Sequence, residues 1–236
     1  MASTAGGAAR AELFWHRMAI GLAVFIVAGF LQFALRGFVD PVAAPFWVHL
    51  HGVIMLAWLG LLIVQPMLAA RGEVARHRQL GRIGGLLAIA ITVLGIWTGI
   101  ASLMLGRFPP FFTPPYFLAL TVTESLVFGA VVAWAIRRRR ATDWHRRLMI
   151  GATIIILEPA LGRLLPIPLM GPWAEPAVGL CQLAVVAIIA NYDRRSRGAV
   201  HPATWAVAAI VIATRVAISL LAMTTPVIAL AARLTG

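Results

Sequence analysis

Apolar residues in this chain come in seven long runs, separated by short polar stretches crowded with arginine. The runs cover Met18–Leu35, Phe46–Ala70, Ile83–Leu105, Tyr116–Ile136, Leu148–Leu165, Ala177–Ala190 and Ala203–Leu220. At a rise of ~1.5 Å per residue, a helix of this length crosses, alone or with its flanks, a hydrocarbon layer of ~30 Å. Backbone polar groups find no water inside lipid, so each span must satisfy them internally. The runs are too long and too continuously apolar for barrel strands. The predicted fold is therefore all-α, an integral membrane bundle of seven transmembrane helices. Residues 1–15 form an expected flexible N-terminal tail and 16–236 a single domain, since no linker is long enough to divide it.

The polar stretches orient this bundle. Alternation puts Arg10, Arg17, Arg71, Arg76, Arg78, Arg82, Arg137 to Arg140, Arg146, Arg147, Arg194, Arg195 and Arg197 on one side. Arg36, Arg107, Arg163 and Arg233 fall on the other, and Arg215 falls inside the last run. Short basic loops resist translocation, which predicts a cytoplasmic N-terminus and an outer C-terminus. The loops opposite the basic ones are rich in proline, and Phe46, Trp47, Phe111, Phe112, Tyr116 and Trp173 supply an interfacial aromatic belt there. In the third run Gly81, Gly85, Ala88, Thr92, Gly95 and Gly99 make a small-residue stripe. It marks close helix packing and places that helix at the expected centre of the bundle.

Composition removes several function classes. The chain is 61% hydrophobic and 12% charged, which is outside the range of an ordinary soluble domain. A net charge of +12 confined to short loops serves topology and anionic headgroups, so nucleic acid is not an expected partner. The expected partners are the lipid bilayer and other membrane subunits. Cys181 is the single cysteine, which excludes an intrachain disulfide and a thiolate metal cluster. The chain contains no lysine, so a retinal Schiff base or a lysine nucleophile is impossible.

Ionisable groups within spans are costly and mark candidate sites. Glu124 lies eight residues, about 12 Å, from the outer end of its run, and Glu158 lies at similar depth. Arg215 is about 18 Å from the inner edge of the last run, also in the outer half. His49 and His51 open the second run from that side. They project in nearly opposite directions, and the seven-residue repeat of His51, Trp58 and Gln65 selects His51 as the inward group. Pro159, following Glu158, removes a helical donor and frees the carbonyl of Ile155. This layer suits three chemistries: a divalent metal held by His51, Glu124 and Glu158, a proton relay, or a quinone-like ligand. A purely structural Glu–Arg pair is the plainer alternative.

A second candidate lies at the basic end. His77 and His145 open the third and fifth runs at equal depth, as bis-His ligation of haem b requires, with arginines placed to hold propionates. An interfacial anchoring role for these histidines is the plainer alternative. The cofactor-binding candidates are thus His51, Glu124, Glu158, Arg215, His77 and His145. The function classes they leave are a haem-, metal- or quinone-binding redox protein, a small proton-coupled transporter, and an accessory subunit of a membrane complex.

Taken together, FWVHLHGVIMLAW (46–58), Gln65, HRQLGRIGG (77–85) and HRRLMIGATI (145–154) resemble a family of small bacterial multi-pass inner-membrane proteins. That family repeats HxHG, HRxLGxxG and HRRLM-like openings on successive helices. The resemblance implies a bacterial cytoplasmic membrane and carries no activity with it. The chain is also distantly similar to cytochrome b561-type membrane proteins, although it has no outer histidine pair for a second haem. Paired histidines on the last helix, which a seven-helix zinc hydrolase of the ceramidase and adiponectin-receptor type would need, are missing from Ala203–Leu220.

Overall fold

The computed structural model describes residues 2–40 and 42–236, without the side chains of 2–11. Among them the chain is helical, with no strand. Its helices are α1 (Ala2–Leu35), α2 (Phe46–Ala70), α3 (Val74–Met104), α4 (Pro114–Arg137), α5 (Thr142–Ile155), α6 (Glu158–Leu164), α7 (Ile167–Met170), α8 (Ala174–Arg197), α9 (Pro202–Ala222) and α10 (Thr225–Thr235). Six of the helical stretches are long and apolar enough to cross a membrane: Glu12–Leu35 of α1, α2, α3, α4, α8 with the short helix before it, and α9. Helix α1 takes in residues 2–15, where a flexible tail was expected; Met1 lies outside the described residues.

Proline sets several helix starts. Pro114 and Pro115 open α4, Pro202 opens α9 and Pro226 lies in the first turn of α10, where a missing N–H costs nothing. Gly198 ends α8 in a left-handed conformation (φ 79°), and its N–H donates to the Arg194 carbonyl at 3.0 Å. The outward faces carry large apolar side chains such as Val24, Leu86, Trp97, Leu180 and Leu220, each more than half exposed. Such a continuous apolar exterior is a lipid-contacting surface.

The fifth predicted run is not one helix. It breaks between Ile155 and Glu158, leaving α5 and α6 in tandem. These two pieces are the most enclosed part of the protein: α5 packs on α1, α4, α8 and α9, and residues Ile150 to Ile155 are all buried. The centre of the bundle is thus α4 and α5, not α3 as expected. Helix α3 packs against α2 and α4, with lesser contact to α10. Its glycine stripe does serve close packing, chiefly against α4: a Cβ on Gly95 would come within 2.5 Å of Ser125 Oγ, while Gly81 lies nearer Gln65 of α2.

A buried polar clamp joins α5, α8 and α9 at the basic end. Arg147 and Asp193 are both nearly inaccessible and form an ion pair. Asp193 Oδ2 also accepts from Thr204 Oγ1 (2.6 Å) and from the His201 N–H (3.1 Å). Each oxygen of the buried carboxylate is thereby satisfied, as burial of a charge demands. Nearer the rim, Asp143 collects Arg146, Arg147 and Arg197. These three guanidiniums surround the one carboxylate and cross-link the start of α5 to the end of α8. Arginines expected to be plain loop charges are therefore partly structural.

Candidate functional site

The site assembles where three inward stripes meet at one level. On α4 the buried positions Leu120, Glu124, Phe128, Val131 and Ala135 recur every three or four residues, so Glu124 is in phase with the core. On α9 the inward stripe is Thr204, Val207, Val211, Thr214–Arg215 and Ile218. On α8 the half-buried Glu175 and Gly179 line up with the buried Gln182, spaced i, i+4 and i+7. Gly179 lies against the arginine stem: a Cβ there would make ordinary contact, 3.7 Å from Arg215 Cγ.

Arg215 is the hub. Its Nη2 pairs with Glu124, and its Nη1 donates to Glu175 Oε1 at 3.1 Å and Oε2 at 3.4 Å. Its Nε donates to Gln182 Oε1 at 3.1 Å. The Tyr116 hydroxyl donates to the same Glu175 carboxylate. A planar guanidinium with donors in a fixed fork can serve all three partners at once, which a lysine ammonium could not do with equal geometry.

Gln182 ties this hub to the helix break. While its oxygen accepts from Arg215, its Nε2 donates to the carbonyls of Ile154 and Ile155, both at 2.9 Å. The Ile155 carbonyl is the one freed by Pro159, as the sequence predicts. One fully used amide therefore repairs the broken backbone and fixes the guanidinium.

Glu158 opens α6 at this break and is 6% exposed. It lies within electrostatic reach of Arg215, Glu175 and Arg163. Among the described residues its side chain makes no hydrogen bond or ion pair. Helix α6 is itself held from α1. Gln32 Nε2 donates to the Arg163 carbonyl at 2.7 Å, and the Arg163 guanidinium lies 4.1 Å from the Phe30 ring centroid. Gly29 lets the two helices touch, since a Cβ there would be 3.1 Å from the Ala160 carbonyl oxygen.

The predicted layer is thus brought together in part. Glu124 and Arg215 pair, and Glu158 lies beside them, but the imidazoles do not join. His51 is the more buried of its pair, as expected, with His49 exposed. It lies against Gly95 beside Ser125, on a different side of α4 from the one Glu124 presents to α9. Among the described residues no three His, Cys, Asp or Glu side chains gather as a metal site needs. His51, Glu124 and Glu158 therefore do not fit the divalent metal expected of them. At the basic end, His77 and His145 are neighbours. His145 Nδ1 bonds the Ala135 carbonyl at 2.8 Å, and His77 Nδ1 is buried without a partner among the described residues.

Glu175, Gln182 and Tyr116 were absent from the predicted site. Glu175 follows a proline-rich connection, and Tyr116 reads as a belt aromatic. The Glu175–Gly179–Gln182 spacing was the available signal. Comparison with protein-family models, with characterised proteins and with solved structures finds no match for this chain.

Proposed function

We propose that this chain is a proton-coupled transporter of a bacterial inner membrane, crossing the bilayer seven times with its N-terminus inside and its C-terminus outside. In this reading α5 and α6 together make the seventh crossing. Their 23 residues (142–164) would extend about 34 Å as helix, enough for the hydrocarbon layer. Helix α10 does not add another: it packs on Leu103 and Leu118, at the proline-rich ends of α3 and α4.

One observation carries the functional reading. A single buried guanidinium is shared by Glu124 and Glu175, while a third carboxylate, Glu158, is buried at a helix break with no ion partner among the described residues. A carboxylate buried in a membrane span without a direct ion partner is the kind of group that carries protons in pumps and transporters. Arg215 can compensate a vacated carboxylate by changing partners, which couples protonation to helix position. A discontinuous helix in the middle of the bundle is the kind of element through which membrane transporters bind and move their cargo.

The test uses proteoliposomes holding a pH-sensitive dye, exposed to a small-molecule extract of bacterial cells. The wild-type protein should dissipate an imposed pH gradient when extract is added, and Glu158→Gln should not. Gradient decay that is absent in the wild type, or unchanged by Glu158→Gln, would refute proton coupling.

A second reading, haem b between His77 and His145, is favoured by the adjacency of the two imidazoles and the unpartnered Nδ1 of His77. Haem would supply one-electron chemistry, and a Soret band in the purified protein would identify it.

A further inference from the structure

A groove of about 280 Å³ separates α8 from α9 at the basic end of the bundle. Its apolar floor includes Leu183, Ala187 and Ala208; alanine at these helix faces leaves a trough where larger side chains would close the seam. Its mouth carries Asn191, Arg194 and Trp205. From Leu183 to Arg194 the trough runs eleven residues along α8, about 16 Å, the depth of one leaflet. Trp205 is 59% exposed there, as an interfacial tryptophan would be.

Charge distinguishes this groove. Arg147 and Arg197 near it are committed to Asp193 and Asp143. Arg194 is exposed and makes no side-chain hydrogen bond or ion pair among the described residues. An unused guanidinium and an amide at headgroup height, above an apolar trough one leaflet deep, match a phosphate above an acyl chain. The larger groove between α4 and α9, about 390 Å³, has only Thr123 and Thr214 hydroxyls and the Trp134 indole as polar groups in its lining. It offers nothing for a charged headgroup.

We propose that the α8–α9 groove binds one anionic phospholipid, with its phosphate on Arg194 and Asn191 and one acyl chain along Leu183, Ala187 and Ala208. The bound lipid would brace the two helices that Asp193 joins through Thr204. This site rests on membrane insertion and not on proton movement, so it stands or falls separately from the role of Arg215.

Native mass spectrometry of delipidated protein, titrated with phosphatidylglycerol or phosphatidylcholine of identical chains, tests it. One phosphatidylglycerol should remain bound at collision energies that strip phosphatidylcholine. Arg194→Gln should weaken its binding about fivefold, whereas Arg195→Gln, on the same helix end but outside the groove, should not. Ala187→Trp should fill the trough and lose the bound lipid, while its unchanged melting temperature without lipid would show that the fold persists. Equal retention of the two lipids would overturn the site. So would equal weakening by Arg194→Gln and Arg195→Gln, or full binding by Ala187→Trp.

Discussion

Arg215→Met should be the most damaging single substitution in the membrane-embedded part of the protein. It would leave the Glu124 and Glu175 carboxylates and the Gln182 oxygen facing one another without a cation. Breaking a buried pair by deleting one partner costs about 3–5 kcal/mol, because the remaining charge stays buried. The expected result is a large fall in melting temperature in detergent, or no recoverable folded protein. Arg215→Lys should recover less than half of the loss, since an ammonium cannot bridge Glu124, Glu175 and Gln182 in one geometry. Adding Glu124→Gln to Arg215→Met should restore part of the stability by removing a stranded charge. Wild-type melting in Arg215→Met would show that the cluster holds nothing together.

Gln182→Leu comes second, and its effect should be local as well as global. The amide serves three buried groups: the carbonyls of Ile154 and Ile155 and the Nε of Arg215. Leaving a buried polar group unmade costs about 1–3 kcal/mol, so losing the two carbonyl bonds alone should cost about 3 kcal/mol. The backbone of α6 depends on this repair, and its amides should exchange with deuterium faster than those of α8 or α9. Gln182→Glu should be nearly as harmful, because a carboxylate cannot donate to the carbonyls. A Gln182→Leu protein with wild-type exchange in α6 would contradict the assigned role.

Much of the fold could be read from hydropathy because lipid leaves the backbone few options. Six long apolar runs became six long helices for that reason. The fifth run deceived the same measure: Leu148–Leu165 is apolar enough to count as a span, yet Pro159 splits it, and only the proline marks where. Its true start lies further back, at Thr142, because Arg147 is drawn into the core by Asp193, forty-six residues away. No local pattern announces such a long-range pair.

The site was legible in depth but not in direction. Counting residues put Glu124, Glu158 and Arg215 in one layer, and two of these meet directly. The same counting placed His51 in that layer, but residues at one depth can face different neighbours. Gly95 and Ser125 turn out to be those of His51. Small residues along one helix likewise show that something packs closely there, not that the helix is central. Helix α3 sets Gly95 and Gly99 against α4 while Leu86, Ile89 and Trp97 face outward.

The proposed seven-crossing topology requires the broken α5–α6 pair to pass from one face to the other. The most direct test uses protein freed of its native thiol by Cys181→Ala and given single cysteines by Ser3→Cys or Thr235→Cys. Intact right-side-out cells are then labelled with a membrane-impermeant maleimide. Position 235 should label and position 3 should not until the membrane is opened. Labelling of both, or of neither, would place the two ends in one compartment and remove the seventh crossing.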